Sequence, residues 1–375
     1  MRKNVTLLLA LIGLVAAGAL AAWTVRLGLG GSVVETWGMR PEAPRAPLPA
    51  KPPDDDLEML TALFDGGAPG EPAHDLLVAG AEELYLARAS DGAIVAVPKA
   101  GHGTPRKLAR LTGVARGMAL AGGALWVSTT REAPADAGGI ASGGAVVRIA
   151  LGGGAPTVVV GDLAGPHAIA SDGRWVFVVD VGAREPGLLR SSVVERLPAT
   201  GGKPAAVARC EGEVTSLALD DANVYWADPF DGTIVAAPKA GGDPRSLAVE
   251  RGLPEQIALY GGALYWVERR SETVWTMPAA GGTPRPIVQD FAGFANLVVD
   301  GHGLWWVSEA PLAGRFRILT VATTGGDSSP ASDAVEEVDA LASDGAHLYW
   351  ARSGEASRVP TSAAERRKED AGEDE

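Results

Sequence analysis

The sequence predicts an all-β protein folded as a β-propeller of seven four-stranded blades, and three observations carry that prediction. An aromatic-centred run recurs seven times, as Leu84-Tyr85-Leu86, Leu125-Trp126-Val127, Val176-Phe177-Val178, Val224-Tyr225-Trp226, Leu264-Tyr265-Trp266, Leu304-Trp305-Trp306 and Leu348-Tyr349-Trp350. The central aromatics are spaced 41, 51, 48, 40, 40 and 44 residues apart. Periods of this length, each holding four short apolar runs, mark propeller blades. Eight residues before each aromatic stands a large apolar residue (Leu77, Met118, Ile169, Leu217, Ile257, Leu297, Leu341), and one position later a small one (Val78, Ala119, Ala170, Ala218, Ala258, Val298, Ala342). That pairing suits an innermost strand crowded against the ring axis. Finally, glycine turns such as Gly201-Gly202, Gly241-Gly242 and Gly281-Gly282 follow the third run of six units and supply the positive φ of tight hairpins.

Taken in order, the chain opens with a targeting segment over residues 1–31. Arg2 and Lys3 precede an uncharged run from Val5 to Trp23. Ala19-Leu20-Ala21 fits a cleavage site for an export signal, while the length of the run also suits a single membrane anchor, and both readings stay open. Either one places the remainder outside the cytoplasmic membrane, in the periplasm or at the cell surface. Residues 32–56 form a spacer with prolines at 41, 44, 47, 49, 52 and 53, whose fixed φ and missing donors favour an extended chain. The propeller domain spans residues 57–362. Its seventh unit lacks a fourth strand of its own, and the orphan run Leu57–Phe64 is predicted to supply it and so close the ring. A six-bladed ring results if the first and last units share one blade. Inserts at 131–145 and 183–191 widen the second and third units, and residues 363–375 read as a charged, disordered tail.

Composition narrows the chemistry. With 49 glycines and 26 prolines among 375 residues, turns are unusually dense. A net charge of −13 argues against a nucleic-acid partner, because a phosphate backbone needs clustered Lys and Arg. The lone cysteine, Cys210, rules out an intramolecular disulfide and reads as a small residue on a blade strand. Asp220, Asp221, Asp228 and Asp231 match no calcium-loop spacing and read as turn residues. No cofactor or metal is expected.

Tyr225-Trp226-Ala227-Asp228 followed by Gly232-Thr233-Ile234 and Gly241-Gly242 resembles the YWTD-type propeller repeat of extracellular receptor domains, and Leu264-Tyr265-Trp266-Val267-Glu268 is similar. The acidic fourth position is kept as Asp180, Asp228 and Glu268, and is Arg88, Thr129, Ser308 and Arg352 elsewhere. The resemblance implies a propeller with a protein-binding role and no chemistry of its own. A narrower likeness, Gly165-Pro166-His167-Ala168-Ile169-Ala170-Ser171-Asp172-Gly173, is to streptogramin-lyase-like propellers and implies a catalytic histidine near the axis, making His167 the candidate.

Ten positions before the aromatics, where the innermost strands begin, stand Asp75, Arg116, His167, Thr215, Glu255, Ala295 and Asp339, with Asn296 beside Ala295. Asp75, Arg116, His167, Thr215, Glu255, Asn296 and Asp339 are therefore the candidate ligand-binding residues at one mouth of the central channel. An arginine among carboxylates can recognise a carboxylate, and a histidine can act as a general base. The expected function is an exported or membrane-tethered binding module in the cell envelope, with an envelope protein or small ligand as partner. The alternative is a periplasmic lyase or hydrolase using His167 and the carboxylates.

Overall fold

Alternating apolar residues and tight turns make each unit an antiparallel four-stranded meander. Blade 4 shows the pattern, with strands Leu217–Leu219, Asn223–Asp228, Thr233–Pro238 and Arg245–Ala248 running from the axis outward. The computed structural model describes residues 59–60, 75–100, 103–131, 143–182, 191–210, 212, 214, 216–249, 251–268, 270–289, 293–309, 315–332, 335, 338–352 and 355–362. The leader, the proline spacer, most of both inserts (132–142 and 183–190) and the tail lie outside them. Among the described residues no helix is long and apolar enough to cross a membrane.

Seven such sheets are present: Leu76–Arg110, Val114–Leu163, Pro166–Cys210, Leu217–Ala248, Pro254–Val288, Gly293–Pro330, and a seventh built from Ala340–Pro360 together with Met59–Leu60. The seventh blade takes its outermost strand from the other end of the propeller domain. Met59 pairs with Ser357 and Leu60 with Ala356. Seven blades rather than six is thus the count, and pairing of the first strand with the last sheet leaves that blade complete.

The ring is held together by what lies between the blades. The second strand of each blade is pleated, so its central aromatic faces one neighbour and the next residue faces the other. Phe177 accordingly packs with Trp226, Tyr225 with Trp266, Tyr265 with Trp306 and Trp305 with Trp350. Tyr349 packs with Leu86, Tyr85 with Val127 and Trp126 with Val178, which carries the same contact through the remaining three junctions. Seven hydrophobic clusters therefore correspond to seven inter-blade interfaces. The cluster containing Tyr349 and Leu86 joins blade 7 to blade 1.

Polar clasps reinforce two of these junctions, at the end of the molecule where first and second strands are joined. Lys99 of blade 1 places its Nζ 2.6 Å from Asp344 Oδ2 of blade 7, and Arg358 of blade 7 donates to the Lys99 carbonyl at 2.7 Å. Lys239 of blade 4 repeats this on Asp172 of blade 3 at 2.7 Å, with Arg196 donating to the Lys239 carbonyl at 2.6 Å. Each ammonium also lies over the central aromatic of the preceding blade, 5.2 Å from the Tyr349 ring centroid and 5.7 Å from that of Phe177.

Candidate functional site

The inner strands run regularly at one end and break register at the other. Near their starts the pairing with the second strand shifts between Ala115 and Gly117, Pro166 and Ile169, Glu255 and Ile257, and Phe294 and Val298. A bulge adds a residue and re-aims side chains, and bulges gather at barrel rims and beside active sites. Here they bring polar residues to the channel mouth. Arg116, Gln256 and Asn296 occupy three of the breaks, and His167 the fourth.

Two bulged residues adopt the left-handed region without being glycine, Gln256 at φ 39 and Asn296 at φ 94. Asparagine tolerates that region better than glutamine. Side-chain hydrogen bonds hold both in place. Gln256 Oε1 accepts from Asn296 N at 2.8 Å and Leu297 N at 2.9 Å, and Asn296 Nδ2 donates to the Asp339 carbonyl at 3.3 Å. Blades 5, 6 and 7 are thereby stitched together at the mouth. Ser216 Oγ accepts from Ile257 N at 3.1 Å between blades 4 and 5, and Ser128 Oγ donates to the His167 carbonyl at 2.5 Å between blades 2 and 3. Gly117 makes the latter approach feasible, since a Cβ there would sit 3.0 Å from the His167 carbonyl oxygen and 3.0 Å from Ile169 Cγ2.

The seven residues expected from sequence occupy different settings. Arg116 is exposed, and its Nε donates to Thr130 Oγ1 at 3.0 Å. His167, Glu255, Asn296 and Asp339 are half-buried on, or just before, their inner strands. Asp75 is only 2% exposed, and its carboxylate accepts the Ala89 N–H at 3.0 Å under the turn between the second and third strands of blade 1. That task is shared by Asp228, whose Oδ1 accepts from Phe230 N and Asp231 N. Thr215 lies outside the described residues. From sequence Gln256 is only a polar neighbour of the candidate Glu255, because counting ten residues back from Tyr265 assumes unbroken alternation and so lands on Glu255. Its signal was a second polar residue at the strand start.

Two further groups resolve as structural. Asp220 caps the turn between the first and second strands of blade 4, accepting from Ala222 N and Asn223 N, whereas Asp228 caps the far end of that second strand. A strand of this length separates them by about 20 Å, so they share no ion. Among the described residues no group of three or more His, Cys, Asp or Glu side chains is placed to hold a metal. Cys210 is buried, and burial, followed by the charges of Asp228 and Asp231, pushes its thiol up to about 12. Almost no thiolate forms at neutral pH, and the thiolate is the reactive species. The folded protein should therefore show no reaction with a thiol-specific disulfide reagent at pH 8, and one equivalent after unfolding. Rapid reaction of the native chain would overturn this placement.

The starts of the inner strands thus carry a guanidinium, an imidazole, two carboxamides engaged between blades, and two carboxylates. No protein-family model matches the chain, nor does any curated protein. Solved structures do match. A propeller from the nidogen/laminin complex is 18% identical with a TM-score of 0.50, over 69% of this chain and 94% of that one. A streptogramin B lyase is 13% identical with a TM-score of 0.59, over 80% of this chain and 96% of that one. A catalytically inactive histidine-to-alanine variant of Staphylococcus aureus virginiamycin B lyase, with quinupristin, is 13% identical with a TM-score of 0.56, over 78% of this chain and 97% of that one. At such identities these likenesses establish the architecture alone, and with the seven sheets and their interfaces they make the chain a seven-bladed β-propeller.

Proposed function

We propose that the chain is an exported or membrane-tethered propeller serving as a binding module in the cell envelope, taking an envelope protein or a small polar ligand at the mouth where the inner strands begin. The observation that carries the reading is the set of bulges there, with Gln256 held in a costly conformation by bonds to the next blade. Backbone strain of this kind collects at ligand-binding sites. Arg2, Lys3 and the apolar run from Val5 to Trp23 support export. Likeness to a nidogen/laminin propeller supports protein binding on this architecture.

A paired capture from an envelope extract tests the reading, with the full chain as bait in wild-type form and as Arg116→Ala/Glu255→Ala. A protein retained by the first and bound at least about tenfold more weakly by the second is the expected result. Equal retention of the same protein by both baits would move the site off this mouth.

The lyase reading rests on a specific point, the half-buried His167 on the inner strand of blade 3 and the likeness to a lyase whose histidine variant is inactive. Quinupristin is then the first substrate to offer, its consumption followed by chromatography. Turnover that disappears in His167→Ala, with the thermal midpoint unchanged, would favour the enzyme. No consumption by the wild type would remove this substrate from the reading.

A further inference from the structure

At the opposite end of the propeller a cavity of about 520 Å³ opens between blades 1 and 2, lined by Gly80, Glu82, Glu83, Tyr85, Leu120 and Leu151 among others. Its origin is visible by comparison with the clasped junctions of the same molecule. Counted from the central aromatics and from their partners on the third strands, Asp344 and Asp172 correspond to Gly80, Lys99 and Lys239 to Leu151, and Arg358 and Arg196 to Ala96. At this junction every charged member of the clasp is missing while the aromatic, Tyr85, remains.

The other unclasped contacts are closed by different means, that between blades 6 and 7 by Ser343 Oγ donating to Asp300 Oδ2 at 2.6 Å. Between blades 2 and 3 the larger Trp126 takes the aromatic position, and the turn at Gly122 comes so near that a Cβ there would lie 3.2 Å from the Ala199 carbonyl oxygen. Arg245 and Arg285 reach across to the carbonyls of Ala280 and Thr324 in the following blade, at 3.4 and 3.2 Å. Arg106 holds the equivalent position in blade 1, yet it turns back onto Glu83 of its own blade, with bonds of 3.1 and 2.7 Å. The Tyr85 hydroxyl donates to the same carboxylate at 3.1 Å. The opening between blades 1 and 2 is thus left with an aromatic wall and two acidic residues at its side.

We infer that this cavity binds a primary alkylammonium group, which occupies the place that Lys99 and Lys239 fill at the clasped junctions. Those two lysines show what the geometry accepts: an ammonium 5.2 to 5.7 Å from an aromatic centroid and within hydrogen-bond reach of a carboxylate. In the cavity the aromatic is Tyr85, and the carboxylate is Glu83, shared with the half-exposed Arg106. Glu82 adds a second negative charge at the exposed rim. Attraction of a desolvated cation to an aromatic face and a carboxylate gives selectivity over a neutral group of equal size. The ammonium can belong to a free amine or to a lysine side chain.

The test is a titration of the isotope-labelled full chain with n-butylammonium, n-butanol and N-acetyl-lysine methylamide, read at the backbone amides of Gly80, Gly122 and Gly123. Butylammonium should shift these signals saturably at millimolar concentration and butanol should not. Tighter binding of the lysine derivative would identify a peptide as the source, and weaker binding a free amine. Leu151→Lys should place a tethered ammonium in the cavity and weaken butylammonium at least about tenfold, with Leu151→Gln weakening it less. The proposal fails if butanol produces the same shifts, if no shifts occur, if Leu151→Lys binds as wild type does, or if the Lys and Gln variants lose affinity equally.

Discussion

Trp226→Ala should lower the stability of the propeller by about 4 kcal/mol, the largest single-residue effect expected here. The ring of Trp226 is 1% exposed and fills the interface between blades 3 and 4, against Phe177, Val179, Val194 and Val207. Truncation loses the transfer energy of the indole and leaves a void between two sheets. Neither sheet can close on the void freely, because each is also packed against its other neighbour in a closed ring. The indole Nε1 is buried without a hydrogen-bond partner, so no polar contact is lost with the ring. Trp226→Phe keeps most of the volume and removes that unsatisfied group, and should cost less than about 1.5 kcal/mol. Chemical denaturation checks both, with the slope unchanged if the unfolded state is unaffected. A loss below about 2 kcal/mol for Trp226→Ala would show that the interface collapses around the gap.

Much of this architecture was legible because propeller packing is periodic. The large-small pair on the inner strand and the aromatic on the second are imposed by the same sterics seven times, so Leu217, Ala218 and Tyr225 announce their positions once Ile257, Ala258 and Tyr265 are beside them. The closing strand was legible too, since a unit without a fourth run and an orphan run elsewhere require one another. The mouth was only partly so. Counting back from Tyr265 finds the start of the inner strand but not the bulge beyond it, because a bulge depends on how neighbouring strands stagger around the ring. Gln256 consequently stood in the shadow of Glu255, and Asp75 gave no sign in sequence that its carboxylate turns inward to Ala89. The clasps were illegible for a different reason. Asp344 lies 245 residues from Lys99, and only the closed ring brings them together. The cavity between blades 1 and 2 is harder still, for it arises from residues that are missing, and Gly80 and Leu151 acquire meaning only when set against Asp344 and Lys99.

Lys99→Ala should destabilise the protein by about 2 kcal/mol at neutral pH, and the loss should shrink at low pH. The Lys99 and Asp344 side chains are 11% and 22% exposed, so their pair is neither a surface contact nor a fully desolvated one, and solvent near Asp344 keeps the cost below that of a deeply buried pair. Burial works to raise the pKa of Asp344, but bonds from Lys99 Nζ, the His347 and Ala346 amides and the Tyr349 hydroxyl outweigh it and hold the carboxyl well below its ordinary 3.8. A carboxyl depressed in the folded state contributes stability above its unfolded pKa and loses it as pH falls. Tyr349 is displaced the other way, above 10.0, by burial and then by its bond to Asp344. Its contribution is present below that pH and lost above it. The Tyr349 contribution does not depend on Lys99 and is common to wild type and variant, so the gap between wild type and Lys99→Ala should be flat above about pH 4 and narrow as pH falls below it. A double-mutant cycle with Asp344→Ala separates the pair from the packing of the lysine stem, and a coupling of about 1 to 2 kcal/mol is expected. Lys239→Ala at the junction of blades 3 and 4 breaks the same contacts, but there the chain itself still tethers the two blades. At the junction of blades 7 and 1, among the described residues, side chains and the two residue pairs of Met59–Leu60 oppose opening. Lys99→Ala should thus accelerate unfolding more than Lys239→Ala does at similar equilibrium cost, and equal unfolding rates would show that the ring does not open first at its closing seam.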